Sequence, residues 1–129
     1  MEEPKPRAVP ERPLSGRERD WIAEILQSNP AWADVDFAGT RVVGKCACGK
    51  CHTVYLDSDR PQNPRLSGTK GYIGRIEIRT ADEFGITITL DQGDGKLYEL
   101  YVDFLDLSPE GNRGAPSQWT ELAHIVTTM

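Results

Sequence analysis

Between Ile86 and Phe104, apolar and polar residues alternate on either side of one tetrapeptide, Gln92-Gly93-Asp94-Gly95. Successive side chains of a strand point to opposite faces, so Ile86, Ile88 and Leu90 share one face and Thr87 and Thr89 the other. Asp-Gly between two such runs is a strong hairpin signal, because a tight two-residue turn needs positive φ at both positions. The returning run, Lys96 to Leu105, sets Tyr98, Leu100, Val102 and Phe104 along one face. Just upstream, Tyr72 to Thr80 alternates Ile76 and Ile78 against Arg75, Glu77 and Arg79. Three consecutive strands of this kind form an antiparallel meander with one apolar side, and that side demands a covering layer.

The period is helical nearer the N-terminus. Ser15 precedes Glu18 by three positions, a capping-box signature. From Gly16 to Gln27, Trp21, Ile22, Ile25 and Leu26 form one helical stripe. Asn29-Pro30 reads as a second, short helical start running through Trp32 and ending near Gly39. Arg41 to Lys45 and Thr53 to Asp57 read as a strand and its return, with a cysteine-rich turn between them. The expected architecture is therefore α+β: an N-terminal helix packed on an antiparallel β-meander of about five strands, as a single domain over residues 14–129. Met1 to Pro13 holds four prolines among six charged residues and is expected to be a disordered arm. Ser58 to Gly71 is a long polar loop, a candidate for mobility or function. The last stretch leaves two readings open. Trp119, Leu122, Ala123 and Val126 have helical spacing, yet His124 to Thr128 could add a strand.

The cluster Cys46-Ala47-Cys48-Gly49-Lys50-Cys51-His52 concentrates the chain's chemistry. Thiolates at this spacing, with a following imidazole, supply soft ligands for zinc or copper(I). The candidate metal ligands are Cys46, Cys48, Cys51 and His52, with zinc the expected ion. A redox reading of Cys48 and Cys51 lacks the helix start that acidifies such a thiol, because Thr53, Val54 and Tyr55 favour a strand. Cys48 to His52 also matches the haem-attachment pattern C-x-x-C-H, but a strand-rich setting without an export signal fits it poorly. The plain alternative is three small, partly buried cysteines in a tight hairpin.

No apolar run approaches the ~20 residues that cross a bilayer, and Met1 to Pro13 has no signal-like apolar core. A cytoplasmic setting is the expectation. The net charge of −5 argues against nucleic acid as a partner. It is unevenly spread: residues 41–79 carry eight Lys/Arg against three Asp/Glu, and residues 80–129 two against nine. No phosphate-binding glycine loop and no G-x-S-x-G elbow occur, and two histidines offer few acid–base pairings.

The stretch Arg41-Val42-Val43-Gly44-Lys45-Cys46-Ala47-Cys48-Gly49, with Thr53-Val54-Tyr55-Leu56 after it, resembles a group of small uncharacterised bacterial proteins. In these a helical start precedes a C-x-C-G cysteine turn and a β-meander. The resemblance spans residues 14–105 and implies the fold and a bacterial cytosolic setting, with no activity to carry over. Here Lys50 separates the glycine from the third cysteine, a departure from that pattern.

Two functions follow as expectations. The first is a non-enzymatic domain that occludes a protein partner, an immunity-type inhibitor of a basic toxin domain being the concrete form. Its interface would use Asp91, Asp94, Glu99 and Asp103 for steering, with Tyr101 or Tyr98 as anchor. The second is binding or sensing of a soft metal through the 46–52 cluster.

Overall fold

In the computed structural model the described residues are 7–45, 53–79, 83–111 and 126–128. The chain runs β1 (Arg7–Pro13), α1 (Gly16–Gln27), β2 (Arg41–Lys45), β3 (Val54–Asp57), a 3-10 turn (Pro64–Leu66), β4 (Lys70–Arg79), β5 (Phe84–Gly93), β6 (Lys96–Asp106) and β7 (Val126–Thr128). The strands make one seven-stranded sheet in the order β1-β2-β3-β6-β5-β4-β7, antiparallel throughout. It consists of two three-stranded meanders, β1-β2-β3 and β4-β5-β6, joined where β3 lies beside β6. The α+β class, the N-terminal helix and the five expected strands are all present, and two edge strands are added.

Helix α1 starts where its capping box puts it. Ser15 Oγ accepts from the Glu18 amide at 3.1 Å, and the Ser15 amide donates to Glu18 Oε1 at 2.8 Å. Its stripe of Trp21, Ile22, Ile25 and Leu26 is buried against β4 and β5. Contact is close at Gly74, where a Cβ would stand 3.0 Å from Ile25 Cγ2. Glycine there sets how deeply the helix seats. The residues after the helix make the expected short turn through Trp32, itself buried in the core. The Asn29 amide side chain donates to the Ile73 carbonyl at 2.9 Å, at a bulge in the edge of β4.

The sheet's inner face continues this core through Val42, Val54, Leu56, Ile76, Ile86, Ile88, Leu90, Leu97, Leu100 and Val102. Strand β5 alternates buried and half-buried residues along its whole length.

Three expectations are amended. The N-terminal arm expected to be disordered contributes β1, so from Arg7 onward it is a strand; residues 1–6 lie outside the described residues. Its prolines are compatible with this because an edge strand has one side free of ladder bonds, and the register with β2 breaks between Ala8 and Arg12. Arg12 also holds Glu18 through two hydrogen bonds of 2.8 and 2.9 Å, tying β1 to the helix. Second, the loop from Ser58 to Thr69 is fastened rather than loose. Gln62 Oε1 accepts from the Leu97 amide, Gln92 Nε2 donates to Thr69 Oγ1, and Asn63 Nδ2 donates to the Ala31 carbonyl. Third, β7 supplies strand at residues 126–128, so the open choice is settled there; residues 112–125 lie outside the described residues.

Candidate protein-binding face

The helix covers one side of the sheet. Among the described residues no second layer lies on the other side. Residues on it follow from strand parity and register: Arg75, Glu77 and Arg79 on β4; Thr87, Thr89 and Asp91 on β5; Glu99, Tyr101 and Asp103 on β6; and Tyr55 on β3. The register sets Asp91 directly opposite Glu99, Thr89 opposite Tyr101 and Thr87 opposite Asp103. Four of the five residues expected at a partner interface, Asp91, Glu99, Tyr101 and Asp103, are thus brought onto one surface.

Asp94 stands apart from them. With Gly95 it forms the two-residue turn, φ +55° and +79°, that the Asp-Gly pair predicts. Its Oδ1 accepts from the Gly68 amide at 3.0 Å and its own amide donates to the Thr69 carbonyl at 2.7 Å. The side chain is a clamp between turn and loop.

Tyr98 is on the opposite side from where simple alternation puts it. The register slips between Asp91 and Gln92, pairing Asp91 with Glu99 but Gln92 with Leu97. The extra residue is a β-bulge, which reverses alternation beyond it. Leu97 takes the core position and Tyr98 turns outward, its ring edge-on to Tyr55 with centroids 5.9 Å apart. Sequence alternation alone gives no sign of that slip. Tyr72, which no sequence argument picked out, joins the same side through the bulge that separates it from Gly74. Tyr72, Tyr98 and Tyr101 are 61%, 50% and 44% exposed, and Leu105 is 63% exposed at the far end.

At the turn end this face deepens into an open groove of about 880 Å³ between the Gly68–Tyr72 segment and the β5–β6 hairpin. Its lining includes four carboxylates, Asp57, Asp91, Asp94 and Glu99, and two lysines, Lys70 and Lys96. Asp57 is already engaged, by Lys96 Nζ at 3.3 Å and the Ser58 amide at 2.8 Å. Asp91 is different. Half-buried, its carboxylate makes no side-chain hydrogen bond or ion pair among the described residues, and burial raises its pKa above the usual aspartate value.

Cys46, Cys48, Cys51 and His52 lie outside the described residues, as do Trp119 and His124. Lys45 and Val54 on either side of the cluster are paired in register, so all four candidate ligands belong to the connection of one antiparallel hairpin. Among the described residues no group of three or more His, Cys, Asp or Glu is placed to hold a metal ion. No described helix is long and apolar enough to cross a membrane.

No protein-family model, curated protein or solved structure matches this chain.

Proposed function

We propose that this chain is a non-enzymatic protein-binding domain that occludes a basic partner with the outer face of its sheet, an immunity-type inhibitor of a bacterial toxin being the concrete form. The observation that carries the reading is the side of the sheet on which no second layer lies among the described residues, and where exposed tyrosines alternate with carboxylates along β6. Tyrosine suits an interface centre because it brings a large rigid ring and a polar tip at small entropic cost. Carboxylates around it speed encounter with a positive surface and repel a negative one.

The test uses two matched charge reversals and an extract of the cells that make the protein. Asp91, Glu99 and Asp103 changed together to Lys should abolish cross-linking to a stoichiometric basic protein. Reversal of Asp20, Glu24 and Asp34, which lie on the helix and the turn after it, should leave it intact. Equal capture by the two variants would refute the face as the interface.

A second reading is soft-metal binding through Cys46, Cys48, Cys51 and His52. What supports it is the spacing of three thiols and an imidazole within the β2–β3 connection, which would let one hairpin present a zinc ligand set.

A further inference from the structure

We infer that the groove at the turn end of this face receives an arginine side chain carried on an extended basic segment of the partner. The inference rests on the protein-binding reading above and gives that surface its specific anchor point.

Three features converge on a guanidinium. The first is shape. Tyr72 on β4 and Tyr98 on β6, both exposed, line the groove from the two strands that flank β5, together with Gly71 and Gly93. A Cβ at Gly93 would only graze Tyr98 at 3.9 Å, so the space beside that ring is open. The Tyr98 ring is braced edge-on by Tyr55 and offers its exposed part to a flat cation. The second is charge. Asp91 is registered with Tyr72 on one side and Glu99 on the other, and its carboxylate has no side-chain partner among the described residues. A cation seated at Asp91 meets a half-buried carboxylate that has not yet been offset by a neighbouring charge among the described residues. The third is size. At about 880 Å³ the groove exceeds one side chain and suits several residues of extended chain.

Arginine fits better than lysine on chemical grounds. Its planar fork can bond a carboxylate with two parallel hydrogen bonds while stacking on an aromatic ring, and it is less strongly hydrated than an ammonium. With carboxylates outnumbering lysines in the lining, a phosphate-bearing ligand is disfavoured.

The experiment is an amide NMR titration of the full chain with two capped octapeptides, Gly-Ser-Arg-Gly-Ser-Arg-Gly-Ser and its Lys counterpart. The arginine peptide should shift Gly71, Tyr72, Gly93 and Tyr98, and bind at least about fivefold tighter than the lysine peptide. Asp91→Asn should weaken it by a similar factor. That variant should fold as stably as the parent at neutral pH, because the carboxylate has no side-chain partner among the described residues to lose. Equal affinity for the two peptides, or an unchanged affinity in Asp91→Asn, would overturn the arginine assignment. Shifts confined to Tyr101, Asp103 and Leu105 would overturn the groove while leaving the outer face as the interface. No shift on this side of the sheet with either peptide would count against both.

Discussion

The Asp94–Gly95 turn is the point where a single methyl group should do the most damage. Gly95 has φ +79°, and a Cβ built on it would lie 2.2 Å from the Asn63 carbonyl oxygen, 3.0 Å from its carbon and 3.4 Å from Pro61 Cβ. Gly95→Ala therefore carries two costs. An L side chain in the left-handed region costs about 1–2 kcal/mol. The clash must also push the Pro61–Asn63 segment away, loosening the Asn63 amide bond to the Gly95 carbonyl and the Asn63 side-chain bond to Ala31, both 2.9 Å. Each such bond contributes about 0.5–1.5 kcal/mol, so the total is about 2–5 kcal/mol. Gly68 is the internal control. Its φ is +81°, but nothing lies within 4 Å of the added Cβ, so Gly68→Ala should show the conformational cost alone. Urea unfolding measures both, read as a fall in midpoint at constant slope. A Gly95→Asn variant refines the test, since Asn tolerates positive φ yet still carries the Cβ: it should remain clearly less stable than Gly68→Ala. If the two alanine variants fall within about 0.5 kcal/mol of one another, the contact between turn and loop does not bear on stability, and the argument fails.

Two further outcomes concern other parts of the chain. Burial alone would raise the Glu18 pKa, but its bonds to Arg12 and to the Ser15 amide outweigh that and hold it below the usual value. The folded state therefore favours the charged form: its contribution is fully present above the unfolded glutamate pKa and is lost as pH falls through the lower folded one. Glu18→Gln should accordingly lower the melting temperature at neutral pH by an amount that shrinks on acidification, and a pH-independent difference would contradict this. For the cysteine cluster, native mass spectrometry of freshly purified protein should show one zinc lost on denaturation and a lower metal content in Cys46→Ser, Cys48→Ser and Cys51→Ser; an apo mass with three free thiols would remove the metal reading.

Local signals carried most of the fold. Helix α1 was legible to its ends because capping box and apolar stripe coincide, and β5–β6 was legible because alternation meets an Asp-Gly turn. What escaped was non-local. Strand β1 owes its order to pairing with β2 and to the Arg12–Glu18 bond, neither of which alters a composition that reads as a free arm. The 58–69 loop is fixed by Gln62, Asn63, Gln92 and Asp94, polar residues whose bonds leave no periodicity to detect. In the candidate site, the carboxylates of β5 and β6 could be named because parity orders them. Alternation puts Tyr98 on the core face and gives Tyr72 no distinction, because each lies at a bulge that only the register reveals.

The seam between the two meanders sets the order in which the sheet can be assembled. Among the described residues β3 and β6 share two registered pairs, Val54 with Leu100 and Tyr55 with Glu99, supplemented by the Thr53 hydroxyl accepting from the Val102 amide across 49 residues of chain. The β4–β5–β6 meander is closed by local turns and can form early, whereas the seam must first close a long loop, the slow kind of step. Substitutions within β4–β6 should then alter the folding rate. Thr53→Val, which keeps the shape but removes the hydroxyl bond, should therefore slow folding as well, because the seam it weakens is made in the slow step.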